Sequence, residues 1–232
     1  MGKDVIVACD FPSAKATLEF LDKFRGATPF VKIGMELYYS EGPAIVREIK
    51  SRGMKIFLDL KLHDIPNTVG SAMKVLSNLG VDMTNVHAAG GSAMMTAALN
   101  GLTRPDGSRT ILIAVTQLTS TTEEMMRNEL LIDRPLPDVV ESYAKTAQGA
   151  GLDGVVCSPL ESGIIHEKVG SNFLTVTPGI RFADGDIGDQ HRVTTPELAK
   201  KLGSDYIVVG RPITKADDPL KVYERCMADF VG

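Results

Sequence analysis

The feature that most constrains this chain is its rhythm. Strand-like runs at 5–10, 30–34, 55–62, 83–88, 110–118, 154–158, 174–178 and 206–211 alternate with amphipathic stretches at 13–24, 42–52, 68–79, 92–102, 137–149, 161–169, 196–202 and 219–230. Such alternation implies a parallel sheet, because parallel neighbours need a helical crossover between them. Eight units in 232 residues fit an α/β fold, the closed (β/α)8 TIM barrel, whose usual length is about 250 residues. The competing arrangement is a doubly wound open sheet. It usually has fewer units and a glycine-rich first turn, whereas the first turn here reads Asp10-Phe11-Pro12-Ser13. No linker or composition break interrupts the run, so residues 1–232 are expected to form a single domain.

Punctuation agrees with the rhythm. Gly26, Gly53, Gly80, Gly151, Gly170 and Gly203 fall where helices should stop before the next strand. Asp218-Pro219 reads as an N-cap followed by proline at the first helical position. Two loops break the spacing, 119–136 after strand five and 180–195 after strand seven, and long loops at this end of a barrel usually carry function. Composition narrows the partners. The net charge of −4 shows no basic excess of the kind that binds nucleic acid or an anionic membrane. No apolar run approaches the roughly 20 residues of a membrane span. The N-terminal residues enter a strand without the pattern of a signal peptide. Three cysteines, Cys9, Cys157 and Cys226, lack metal-ligand spacing and favour a reduced, cytoplasmic setting.

The third strand carries the chemistry. In Lys55-Ile56-Phe57-Leu58-Asp59-Leu60-Lys61-Leu62, the residues Ile56, Leu58, Leu60 and Leu62 share an apolar face suited to packing under helices. Phe57, Asp59 and Lys61 then point into the barrel. Opposite charges on an inward face cost several kcal/mol per ion to desolvate before pairing, so a sequence built only for a core would place Val or Ile there. Strand one finishes on Asp10, strand two carries Lys32 between apolar neighbours, and Asp64 follows just past the end of strand three. The first three strands are neighbours in a barrel, so Asp10, Lys32, Asp59 and Lys61 should converge at the C-terminal mouth, where such barrels keep their chemistry. The bland reading is an ion-pair network that closes the barrel end, but five alternating charges exceed what closure requires. No Ser–His or Cys–His pair suggests a nucleophile, and the two lysines would oppose a divalent cation held by the aspartates. A lysine held between carboxylates keeps its proton, since nearby negative charge raises its pKa. It can then stabilise a developing carbanion and finally protonate it.

A phosphate handle is expected opposite. Strands seven and eight end in Thr177-Pro178-Gly179-Ile180-Arg181 and Val209-Gly210-Arg211-Pro212-Ile213. Loops after these two strands are the usual phosphate site of the fold. Gly210 allows close backbone approach, Arg211 and Arg181 offer forked, charge-assisted contacts, and Gln190 could close over a ligand. His63, His87, His166 and His191 show no ligand spacing. His166 reads as solvated, His87 as a candidate near the mouth, and Cys157 and Cys226 as small hydrophobes.

Asp59-x-Lys61-x-x-Asp64 followed by Ile65-Pro66-Asn67-Thr68 resembles the signature of the orotidine 5′-phosphate decarboxylase family. The similarity extends along the chain through Asp10, Val31-Lys32-Ile33-Gly34, Thr116-Gln117-Leu118-Thr119-Ser120 and the two phosphate-loop segments. Related barrels that decarboxylate keto-sugar phosphates or make hexulose phosphates share the Asp-x-Lys-x-x-Asp core. Those relatives need a metal ion and carry glutamate where this chain has Lys32. The resemblance implies a cofactor-free decarboxylation of orotidylate to uridylate. It implies that Asp10 and Lys32 contact the ribose, that Asp59 lies beside the departing carboxylate and that Lys61 delivers a proton to C6 of the pyrimidine. Asp64 and Thr68 would serve the neighbouring subunit of a homodimer, Thr119 the pyrimidine, and Gln190, Gly210, Arg211 and Arg181 the phosphate. A metal-dependent keto-sugar-phosphate decarboxylase or aldolase on the same scaffold is the alternative. A non-catalytic nucleotide-binding barrel is the third reading, and it would leave the whole charged array vestigial.

Overall fold

The computed structural model describes residues 3–182 and 194–232. Eight parallel strands close into a barrel in sequence order, with β1 (Asp4–Ala8) paired to both β2 (Phe30–Gly34) and β8 (Tyr206–Val209). Between them run β3 (Ile56–Leu62), β4 (Met83–His87), β5 (Ile111–Val115), β6 (Gly154–Val156) and β7 (Leu174–Thr177). The expected alternation is therefore the observed topology.

Strand alternation divides the core into two layers. Ile6, Ala8, Phe30, Phe57, Met83, Ile113, Val176, Tyr206 and Val208 fill the barrel interior. Their neighbours Val5, Val7, Val31, Ile33, Ile56, Leu58, Leu60, Val86 and Ile207 face outward and pack under the helices. All three cysteines are buried and unbridged. Burial pushes the Cys9 thiol up to about 12, so it stays protonated and inert at neutral pH.

The crossover helices start where local chemistry supplies a cap. Ser13 accepts from the Ala16 amide to open α1 (Ala14–Asp22). The chain from 35 to 51, expected to hold one helix from 42, forms two, α2 (Met35–Glu41) and α3 (Pro43–Ser51). Gly42, at φ +63°, breaks them apart, and Pro43 begins the second without a donor to waste. Pro66 likewise starts α4 (Pro66–Leu76), two residues before the expected start. Against it lies α5 (Gly91–Leu102), so close that a Cβ added at Gly101 would stand 2.2 Å from the Gly70 carbonyl oxygen. The segment 119–136 is not wholly loop: Thr122 caps a short helix, α6 (Glu123–Asn128), before α7 (Leu136–Gly149).

Ser158 and Glu161 form a reciprocal capping box at the start of α8 (Pro159–Lys168). His166 on this helix is not solvated as expected. It is half-buried, with Nε2 3.0 Å from an Asp205 carboxylate oxygen that also accepts from the Thr175 amide. The chain closes with α9 (Pro196–Lys201), the single turn α10 (Arg211–Thr214) and α11 (Pro219–Phe230), the last capped by Asp218 as its sequence suggests. Among the described residues, no helix is long and apolar enough to cross a membrane.

Candidate active site

The charged residues of the first three strands meet at one end of the barrel. Lys32 occupies the same level as Ala8 on β1 and Phe57 on β3, while Asp59 lies opposite Gly34. The Lys32 ammonium donates to Asp10 Oδ1 at 2.8 Å and stands 3.3 Å from Asp59 Oδ2. The Lys61 ammonium donates to the other Asp59 oxygen, Oδ1, at 2.7 Å. Asp59 is thus bracketed by two cations, and Lys32 by two anions. Burial would raise the Asp59 pKa, but Lys32, Lys61 and the hydrogen bonds it accepts hold it below the ordinary carboxylate value. Burial would lower the Lys32 pKa, yet attraction to Asp59 and Asp10 outweighs it and the pKa is raised. Both groups are therefore charged at neutral pH.

Two features that make the array possible were missed in the sequence. Gly34 leaves the room it needs: a Cβ there would stand 2.8 Å from Asp10 Oδ1 and 3.1 Å from Lys32 Nζ. Asn85, fully buried on β4, donates from Nδ2 to Asp59 Oδ1 at 2.7 Å and accepts the Lys61 backbone amide at 2.8 Å. The signal for Asn85 was available. Met83, Asn85 and His87 alternate inward as Phe57 and Asp59 do, and an amide inside a barrel demands partners. The signal for Gly34 was not, because a glycine at a strand end has many uses.

Lys61 departs from simple alternation. Pairing runs from Leu58 opposite Thr84 to Leu62 opposite Val86, so β3 spends four residues where β4 spends two. Within this bulge Lys61 takes φ +52°, a left-handed conformation that costs a non-glycine residue about 1–2 kcal/mol. Bulges of this kind re-aim side chains beside active sites.

The array forms one wall of a cavity of about 260 Å3. Lys32, Asp59 and Lys61 supply the charge; Val115, Val156, Val208 and Pro178 line an apolar side; Gln117, Thr119 and Ser120 reach in from the segment after β5. Of the expected site residues, Lys32, Asp59, Lys61 and Thr119 line this cavity, and Asp10 joins through Lys32. Asp64 and Thr68 stand exposed at the rim, where Asp64 Oδ1 accepts the Ile65 amide at 2.6 Å. Within this chain they are not brought to the array. Arg181, which could have been carried outward on its loop, is buried, and its Nη1 donates to the Ile180 carbonyl at 2.7 Å. Gly210 caps α10, with Arg211 exposed as its first residue. A Cβ on Gly210 would meet only Ala8, at an ordinary 3.6 Å, so packing does not require glycine there. Gln190 and His191 lie outside the described residues.

His87 is half-buried 5.7 Å, ring centre to ring centre, from His63. Burial, and then His63 and Lys61, lower its pKa, so it is neutral at physiological pH. Among the described residues no three His, Cys, Asp or Glu side chains gather as a metal site would require. The arrangement can bind a polar planar ligand against an apolar wall, present a fixed ammonium to it, and hold that ammonium beside a carboxylate.

A family model described as orotidine 5′-phosphate decarboxylase / HUMPS family matches residues 3–226. An orotidine 5′-phosphate decarboxylase of Bacillus cytotoxicus is 57% identical over 100% of this chain and 99% of its own length. One of Bacillus cereus is 56% identical with the same coverage. Among solved structures, the orotidine 5′-phosphate decarboxylase of Lactobacillus acidophilus superposes with a TM-score of 0.88 at 45% identity, covering 99% of this chain and 100% of that one. An uncharacterized conserved protein from Geobacillus kaustophilus gives a TM-score of 0.87 at 51% identity, covering 97% and 99%.

Proposed function

The chain belongs to the orotidine 5′-phosphate decarboxylase family and converts orotidine 5′-monophosphate to uridine 5′-monophosphate and CO2, and on that premise we propose that Lys61 stabilises and protonates the C6 carbanion. This is a carboxy-lyase reaction of pyrimidine biosynthesis. The metal-dependent sugar-phosphate alternative finds no support among the named relatives, which carry the decarboxylase name.

One observation carries the proposed mechanism: the Lys61 ammonium, 2.7 Å from buried Asp59, borders a cavity whose other side is apolar. In the reaction the bond between C6 and the carboxylate carbon breaks, the electron pair stays on C6, and CO2 departs neutral. An ammonium already fixed beside C6 stabilises that charge without reorganising as it forms. One proton then passes from Lys61 to C6, and the neutral amine regains a proton from solvent. Asp59 fixes the ammonium and faces the departing carboxylate, while Asp10 and Lys32 hold the ribose. Thr119 contacts the pyrimidine. Arg181, Gly210, Arg211 and Gln190 hold the phosphate, whose binding energy is remote from the bond that breaks and can be used to assemble the site.

Asp64 and Thr68 are exposed at the rim, which suits residues offered to a second copy of the chain in a homodimer. The mechanism requires neither metal nor organic cofactor. The substrate is a free nucleotide rather than a nucleic acid, and the enzyme acts in the cytoplasm.

The test is a Lys61→Ala variant of the full chain, measured for orotidylate turnover and for uridylate binding. Uridylate affinity within a few-fold of the intact enzyme, with turnover lower by about 1,000-fold or more, is the expected result for a lost transition-state contact. Near-native turnover would overturn the role given to Lys61.

A further inference from the structure

We infer that Asn85 is a positioning residue for the reaction, a single buried amide that fixes the Lys61 backbone and the Asp59 carboxylate relative to one another. The inference rests on the role proposed for Lys61 and extends it to a residue that touches no substrate.

Two hydrogen bonds leave the amide no freedom. A backbone N–H can only donate, so it must meet the Asn85 oxygen; an ionised carboxylate can only accept, so it must meet the nitrogen. The first contact, at 2.8 Å, grips Lys61 at the point where its backbone is left-handed. The second, at 2.7 Å, falls on the same Asp59 oxygen that receives the Lys61 ammonium. Asn85 therefore holds both ends of one residue's geometry, the main chain directly and the ammonium through Asp59. Glutamine is too long for this place, and leucine would strand the Lys61 amide and take a donor from Asp59. Asn85 is fully buried, so both contacts are shielded from solvent.

The groups around Asp59 are Lys32 and, beyond it, Asp10 on the β1–β2 side, Lys61 on its own strand, Asn85 and His87 on β4, and His63 next to His87. Removing the amide takes a donor from Asp59, which then accepts a proton more readily. Replacing it by aspartate keeps an acceptor for the Lys61 amide but sets a second carboxyl against Asp59. Two adjacent carboxyls share one proton, and Asp59, between two lysines, keeps the charge. The new carboxyl then resembles the native amide only when it is protonated.

The full-length Asn85→Ala and Asn85→Asp variants are to be compared with the intact enzyme for kcat from pH 5 to pH 8, uridylate affinity and thermal unfolding. We expect Asn85→Ala to lose about 100-fold in kcat at pH 7, the order expected from a misplacement of about 1 Å, with uridylate affinity within a few-fold. Its deficit should stay nearly constant from pH 8 to pH 5, because Asp59, still between Lys32 and Lys61, remains ionised there. The Asn85→Asp deficit should instead narrow toward pH 5. A change in His87 titration would bend both profiles the same way, so a slope in Asn85→Asp alone isolates the new carboxyl. Native kcat in Asn85→Ala, or an Asn85→Asp deficit that fails to narrow toward pH 5, would overturn the inference. Should Asn85→Ala fail to fold, the isosteric aspartate variant decides by its slope alone. A dead Lys61→Ala beside normal Asn85 variants would sink only this inference, whereas an active Lys61→Ala would sink both.

Discussion

Asp59 and Lys32 are each held against what burial alone would do to them. Asp59 has a folded pKa below its unfolded one. Its ionisation therefore stabilises the protein above about pH 4, and that contribution is lost as pH falls through the folded value. Lys32 has a folded pKa above its unfolded one, so its contribution is present below about pH 10 and is lost as pH rises through the folded value. Across the range where the enzyme works, the pair is invariant in charge. Geometry is then what a mutation can disturb, and Gly34 is the most sensitive point. A methyl group there would press on Asp10 Oδ1 at 2.8 Å and on Lys32 Nζ at 3.1 Å, with no backbone strain to blame, since its φ of −87° suits any residue. Gly34→Ala is therefore expected to lower kcat/KM about tenfold, or ~1.4 kcal/mol, while calorimetry shows Tm within a few degrees of native. Unchanged kinetics would mean that the Asp10–Lys32 contact does not matter to turnover.

At the level of elements, the strands were legible because a parallel barrel repeats one signal eight times. Apolar runs bounded by glycine mark each return, and Gly80 and Gly203, at φ +68° and +90°, show why a side chain would be disfavoured there. The inward turn of Asp59 followed from alternation alone. What alternation could not give was the bulge in β3, because two extra residues in a ladder leave no mark on the pattern of Leu60, Lys61 and Leu62. Helix α2 was missed, and only the stretch from Gly42 read as helix, because Met35–Glu41 lies between strand and glycine with no side-chain cap to announce it. Helix α6 was hidden for a different reason: six residues are too few to show a period. Asn85 was legible in principle, and Gly34 was not. The first is a polar residue in an inward register, whereas the second acts through the absence of atoms.

For the whole molecule, the geometry that bears on function is the rim. Asp64 and Thr68 sit on the loop and first turn that lead into α4, exposed and apart from the array in their own chain. If two copies share their sites, inactive variants should rescue one another. Mixed Lys61→Ala and Asp64→Ala chains, dissociated and reassociated, would form heterodimers in which one site has both native residues, so about a quarter of native activity should return. No recovery, with heterodimers demonstrated, would place Asp64 outside the site. Behind this lies a simpler claim, that a barrel mouth carrying alternating lysines and aspartates removes CO2 with nothing but its own side chains. The most direct test follows the ultraviolet absorbance of orotidylate with the purified intact enzyme in excess EDTA. Rapid replacement of the orotidylate spectrum by that of uridylate is the predicted result. A folded enzyme that leaves orotidylate untouched until a divalent metal is restored would contradict it.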